Sequence, residues 1–415
     1  MHLAPIARGG RLITTSLLLC GTLLAAAGHA QDWPQFRGPT GQGVSDARGL
    51  PLEWSESTNI VWKVPVPGSG WSSPVVAGGR VWLTTFVDRG ASMRALAFDV
   101  ENGKELVNVE VFKFRGGDPI NPKNSRATPT PVADGDRVFV HFGAEGTAAL
   151  SADGQVLWKA RFPYTSQHGS GSSPIVIGDL LVVSGDGPDA AFLVALDKAT
   201  GKVRWKTWKR QPWDQAYSTP LAIRVGESDQ IVSVGAHHTG AYDPQTGKEI
   251  WRVGYPDGFS NVPRPVYGAG LVFITTGFQQ PSLLAVRPDG KGDVTRSHVA
   301  WRFSRGVPLT PSPLLIGNEL YLVNDAGIAI CLDARTGSPI WAQRLAGPHS
   351  ASPVLADGRI YFLSEEGVTT VVAPGAEFRP LATNHLDGPT YASMAVSSGS
   401  FFIRSDKFLY RIAQR

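Results

Sequence analysis

Ala195-Leu196-Asp197-Lys198-Ala199-Thr200-Gly201, closed by Trp205, is the stretch on which the fold turns. Two further segments repeat it without gaps: Tyr242-Asp243-Pro244-Gln245-Thr246-Gly247 with Trp251, and Leu332-Asp333-Ala334-Arg335-Thr336-Gly337 with Trp341. In each, the Trp follows the Asp by eight residues. Degenerate copies stand at Asp99 to Gly103 and at Asp153-Gly154 before Trp158. Another, stretched by insertion, runs from Pro288-Asp289-Gly290 to Trp301. Asp and Thr flanking a turn hydrogen-bond its backbone, Gly supplies a positive φ, and Trp offers a large surface for packing between neighbouring units. Recurrence at a fixed period is the mark of a repeat architecture.

A second landmark precedes each copy: Ser72-Ser73-Pro74, Thr128-Pro129-Thr130-Pro131, Ser172-Ser173-Pro174, Ser218-Thr219-Pro220, Arg264-Pro265, Ser312-Pro313 and Ser352-Pro353. The period is roughly 45 residues, and one period resolves into four short strands, the pattern of a propeller blade. Between Ser172 and Lys206 the strands fall at Ser173 to Ile177, Leu180 to Ser184, Ala191 to Asp197 and Val203 to Lys206, with turn residues between them. First strands begin near residues 72, 128, 172, 218, 263, 312, 351 and 392. The last unit, Tyr391 to Arg415, has room for three strands only, and Ile60-Val61-Trp62-Lys63-Val64 reads as a fourth strand lacking three before it. The expected fold is therefore all-β, an eight-bladed propeller whose N-terminal strand closes the last blade and hides both sheet edges. Seven blades is the alternative.

Composition agrees. Among 415 residues there are 47 glycines and 31 prolines, 18% are charged and 42% are apolar. Many turns with few charges suit short strands, and the apolar share is enough for a large core. Arg8 and Arg11, the uncharged Leu12 to Ala27 and the small residues at Gly28 and Ala30 read as a signal peptide cleaved after Ala30, which predicts a periplasmic or secreted protein. Leu17-Leu18-Leu19 before Cys20 lacks the small residue beside a lipidated cysteine. The organisation is then a signal peptide over 1–30, an N-terminal extension over 31–59 and a propeller over 60–415, with no transmembrane segment in the mature chain. Loss of the leader leaves the two charge signs nearly balanced, which excludes an electrostatic footprint for nucleic acid. It also leaves Cys331 as the one thiol, which excludes an internal disulfide.

The Asp-x-x-Thr-Gly-x-x-x-Trp motif resembles the tryptophan-docking repeat of the PQQ-like (pyrroloquinoline quinone) β-propellers. That quinoprotein alcohol dehydrogenase-like superfamily includes dehydrogenases and the non-catalytic BamB-like propellers. Asp32-Trp33-Pro34-Gln35-Phe36-Arg37-Gly38-Pro39, with Trp54 and Ile60 to Lys63, resembles the start of secreted members. The resemblance implies a binding or scaffold module of the cell envelope, monomeric, meeting an envelope protein or a small polar ligand. Its alternative is a quinoprotein dehydrogenase using PQQ with Ca²⁺. Dehydrogenases of the superfamily often carry adjacent cysteines and a Glu, Asn and Asp set around calcium. Neither is matched here, so no cofactor and no catalytic or metal residue is assigned.

A propeller does say where a ligand would lie. Loops from the fourth strand of one blade to the first of the next converge on one mouth of the channel. The candidate lining is Trp71, Arg126, His168, Tyr217, Arg264, His349 and Tyr391, one from each of seven blades. The longest of these loops, Arg115 to Ser125, is expected to form a rim or a partner contact. His237-His238 lies on another loop, its two rings pointing apart on extended chain.

Overall fold

Thirty-three strands arranged as eight radial sheets form the ring, in a computed structural model that describes residues 1–2, 4, 32–116, 120–209 and 214–415. The leader, apart from residues 1, 2 and 4, lies outside the described residues, as do 117–119 of the long loop. Residues 31–415 make one compact unit. Each blade is built on four antiparallel strands, and the fourth blade carries a fifth strand besides. The third blade shows the rule: Ile175–Ile177, Leu180–Asp186, Ala191–Asp197 and Val203–Trp208. Its two middle strands are buried along nearly their whole length, whereas the outermost alternates, with Trp205 inward and its neighbours exposed. That contrast follows from stacking: a middle strand is covered on both faces by adjacent blades, and an edge strand is half in water.

The repeat residues act at the blade junctions as expected. Asp197 Oδ1 accepts from the Ala199 and Thr200 amides and from the Thr200 hydroxyl, at 3.1, 2.9 and 2.9 Å. These bonds, that from the Thr200 hydroxyl foremost, hold the Asp197 carboxyl below its ordinary pKa. Asp243 with Thr246, and Asp333 with Thr336, repeat the same turn. All but one of the repeat tryptophans dock on the next blade. Trp205 Nε1 donates to the Pro244 carbonyl at 2.8 Å, and Trp158, Trp301 and Trp341 reach Lys198, Ala334 and Gly375 in the same way. The motif glycine lets the indole lie flat: a Cβ on Gly201, Gly247 or Gly337 would stand 2.5 to 2.6 Å from the docked ring.

Trp251 departs from this pattern. Its Nε1 donates to Gln230 Oε1 at 2.9 Å, within its own blade. The insertion after Pro288 explains the change, because Gly292–Asp293 adds to the fourth blade as a fifth, parallel strand against Trp251 and Arg252 and buries the indole from outside.

Closure is as expected. Ile60–Pro65 pairs antiparallel with Phe408–Ala413 and completes the eighth sheet. Trp62 from this strand donates to the Val100 carbonyl of the first blade at 2.9 Å, so the borrowed strand also carries the last docking contact.

The extension is packed into the ring. Trp33 pairs with Val76 of the first blade, Ala133 of the second donates to the Pro34 carbonyl, and Gly43 and Ser45 bracket Leu355 of the seventh. Trp54 then settles against Tyr361 and Phe401, between the seventh and eighth blades. The chain thus crosses the channel before becoming the closing strand.

Candidate functional site

The residue before each recurring proline is Ser73, Thr130, Ser173, Thr219, Arg264, Ser312 or Ser352, and Ser393 holds the same place in the eighth blade. Proline here opens the first strand, where no ladder N–H is needed. Around the ring the backbone amide at this position donates to the hydroxyl of the next blade. The bonds are Ser73 to Thr130, Thr130 to Ser173 and Ser173 to Thr219 at 2.9 Å, then Arg264 to Ser312, Ser312 to Ser352 and Ser352 to Ser393 at 2.9 to 3.0 Å. These bonds span six of the eight junctions, and the belt breaks after Thr219, where the fifth blade carries Arg264 and offers no hydroxyl.

Above this belt lies a cavity of about 520 Å³. The belt hydroxyls ring its base and Phe36 of the extension lies at its bottom, so the channel is shaped as a cup. Its walls carry aromatic faces: Trp71 against Tyr391 with ring centroids 4.5 Å apart, then Tyr217, Phe259 and Phe278. Tyr217 donates to the Gln167 carbonyl at 2.7 Å and is held upright beside Gly171, where a Cβ would come within 3.0 Å of it. Burial pushes its hydroxyl pKa upward, so the ring stays neutral. Asn121, Lys123 and Asn124 of the long loop complete the wall. Lys123 reaches across to Glu365 of the seventh blade at 2.8 Å, and the Asn124 amide donates to the His168 carbonyl at 2.8 Å.

Of the seven side chains expected at the mouth, Trp71, His168, Tyr217 and Tyr391 line the cup, while Arg126, Arg264 and His349 do not. Arg126 turns outward and stacks 3.8 Å from the Phe114 centroid, a cation–π contact. Arg264 turns down beneath the base of the cup, where its guanidinium donates to the Pro220 and Phe36 carbonyls. His349 is buried in its loop with Nδ1 3.2 Å from the Gly347 carbonyl, and burial lowers its pKa to about 4. With two cations and one imidazole turned away, the expected polar mouth becomes an aromatic cup with a hydroxylated base. The belt residues, Phe36, Phe259 and Phe278 were not singled out as site residues. The signal for the belt was present in the Ser or Thr before every recurring proline but Pro265.

His237 and His238 do point apart. His237 Nε2 lies 2.6 Å from Asp214 Oδ2, and His238 is buried with Nδ1 3.0 Å from the Ala236 carbonyl. Nearby, Lys209 Nζ lies 2.7 Å from Ser184 Oγ and 2.8 Å from Asp186 Oδ2. All three of these side chains are buried, so this hydroxyl–amine pair serves the blade core.

A family model described as outer membrane protein assembly factor BamB matches residues 44–172, 86–207, 145–230 and 235–377, most of the chain. The chain belongs to this family. Members of the family that align with it include the outer membrane protein assembly factor BamB of Alkalilimnicola ehrlichii, 27% identical over 51% of this chain and 42% of that protein. That of Burkholderia pseudomallei is 28% identical over 53% of this chain and 56% of that protein. The chain thus spans about half the length of these relatives. In three dimensions it is similar to a europium-containing methanol dehydrogenase, with a TM-score of 0.66 at 12% identity, covering 92% of this chain and 89% of that one. At that identity the likeness concerns the fold alone.

The superfamily also includes quinone enzymes, and the cup can be compared with what a quinone and calcium require. Calcium takes six to eight oxygen ligands, several of them carboxylates. The carboxylate in the cup wall is Asp325, whose Oδ2 already accepts from the Leu309 amide at 2.7 Å, and Glu365 is committed to Lys123 and Ser350. Among the described residues no three His, Cys, Asp or Glu side chains converge as metal ligands. The donor set does not fit a calcium–quinone centre. Among the same residues no helix is long and apolar enough to cross a membrane.

Proposed function

We propose that the protein is a non-catalytic binding module of the cell envelope, using the aromatic cup to seat an apolar or aromatic group of an envelope partner. The observation that carries this reading is the cup itself: aromatic faces from several blades around a hydroxylated base, with no group of three His, Cys, Asp or Glu metal donors among the described residues. An apolar group entering the cup gains by leaving water, and rim groups such as Asn121 and Lys123 supply direction. The relatives' description as assembly factors supports an envelope setting, and the leader read at residues 1–30 is compatible with export. The superfamily's dehydrogenases motivate the competing reading, in which PQQ and Ca²⁺ support alcohol oxidation.

The test places a photocrosslinking amino acid at Phe278, a ring 60% exposed at the cup. A discrete adduct with one envelope protein is expected, reduced at least tenfold when Trp71→Ala and Tyr217→Ala are combined. An adduct that survives the double variant unchanged would remove the cup from binding. Alcohol-dependent dye reduction, gained with PQQ and Ca²⁺ and abolished by chelator, would overturn the non-catalytic reading.

A further inference from the structure

Beneath the cup two arginines lie together, neither ion-paired with an acid among the described residues. Arg37 and Arg264 are 1% and 2% exposed. Arg264 takes the belt position that is Ser or Thr in the other seven blades, and its side chain runs below the belt. There Nε donates to the Pro220 carbonyl at 3.1 Å and Nη1 to the Phe36 carbonyl at 2.7 Å. Arg37 follows Phe36 with a φ of 66°, and its Nη2 donates to the Gln42 and Pro313 carbonyls at 2.7 and 2.6 Å. Its Nε and Nη1 are buried and have no hydrogen-bond partner among the described residues. The charges acting on Arg37 include Arg264 and no carboxylate. Burial, and then repulsion from Arg264, lowers the Arg37 pKa to about 9, and burial alone does the same to Arg264. Both therefore remain cationic at neutral pH.

A buried charge is costly unless paired, and two like charges side by side are costlier. Carbonyl oxygens satisfy some of the N–H groups but carry no compensating charge. We propose that Arg37 and Arg264 form a buried anion site in the channel, under the cup, filled by a compact inorganic monoanion such as chloride. The surroundings favour a small ion. Gly41 and Gly43 bring backbone against both guanidinium groups, and a Cβ would stand 2.3 Å from Arg264 Nη1 and 2.7 Å from Arg37 Nη2. The ion would cancel one of the two positive charges, screen the repulsion between them and tie the extension to the inner ends of the fourth, fifth and sixth blades. This inference does not depend on what the cup binds.

The test uses the chain from Gln31 onward and has two readouts. Crystals soaked in sodium bromide should show an anomalous peak beside Arg37 Nε. In solution, melting should rise by several degrees and saturate as sodium chloride replaces sodium gluconate at constant ionic strength. Arg264→Ser puts a hydroxyl at the one belt position that lacks it, so the ring should fold, yet both the peak and the chloride response should vanish. Absence of the bromide peak in the unmodified protein overturns the site. So does identical melting in the two salts, or a chloride response that Arg264→Ser leaves intact.

Discussion

Trp205 and Trp208 share one outer strand and offer a paired test of how the blades are held together. Trp205 is 9% exposed, packs on Gly247 of the fourth blade and donates to the Pro244 carbonyl, whereas Trp208 is 63% exposed. Truncating a buried aromatic residue costs about 3–5 kcal/mol, and the Pro244 carbonyl also loses its donor, worth about 1 kcal/mol. Trp205→Ala should therefore destabilise by about 4–6 kcal/mol. Trp208 meets Lys206, whose Nζ stands 4.2 Å from its ring, an exposed cation–π contact worth about 0.5–1 kcal/mol. Trp208→Ala should therefore cost no more than about 1 kcal/mol. Gly247→Ala approaches the same junction from the other side. Its φ is 69°, a left-handed conformation costing about 1–2 kcal/mol with a Cβ, and that Cβ would lie 2.5 Å from the Trp205 ring. Once Trp205 is Ala the clash with its ring is gone and the Thr207 hydroxyl, 2.7 Å from that Cβ, is the close contact left, so Gly247→Ala should cost less in that background, with a coupling of about 1 kcal/mol or more. Urea unfolding followed by far-UV circular dichroism gives all four corners of the cycle. Equal costs for the two tryptophans, or strict additivity of Trp205→Ala with Gly247→Ala, would refute interblade docking as the source of the stability.

Two further expectations concern buried titratable groups. His141 and His349 are both lowered by burial to about 4, so an unfolded chain binds their protons more readily than the folded one. Stability should be complete above about pH 6.5 and fall as pH drops from there toward 4, by on the order of 2–3 kcal/mol for each histidine. A His141→Gln, His349→Gln double variant should show a flatter melting profile over that window, and an unchanged slope would assign acid sensitivity elsewhere. Cys331 is buried and its thiol is pushed up to about 12, by burial first. In the chain lacking residues 1–30 it should react with a thiol reagent at pH 8 only as fast as the sheet opens, whereas prompt stoichiometric labelling would contradict its place in the sixth blade.

The fold was legible because the features that build it are local and repeated. An Asp, a Thr and a Gly within one turn, with a Trp at constant spacing, announce a blade, and eight first strands with one orphan strand announce closure. The exception at Trp251 was legible only in part. The insertion after Pro288 could be seen, but its pairing in parallel with the preceding blade depends on where the longer turn finds an unpaired edge, which no spacing encodes. The site was less legible for a different physical reason. Chain position sets which residues stand at the mouth, yet each rotamer is decided by neighbours from other blades. Arg126 finds the Phe114 face, Arg264 finds carbonyls of the fourth blade and the extension, His349 finds the Gly347 carbonyl of its own loop, and the four remaining candidates are left around the cup. The extension shows the same limit. Phe36 closes the base of the cup because Trp33 and Pro34 are pinned to the first and second blades and Gly43 to the seventh, contacts that become neighbours only after the ring has formed. It follows that binding and closure are coupled: the segment that floors the cup continues through Trp54 into the strand that completes the eighth blade. A change that loosens Ile60–Pro65 should thus be felt at the cup as well as at the seam, and one confined to the outer strands should not.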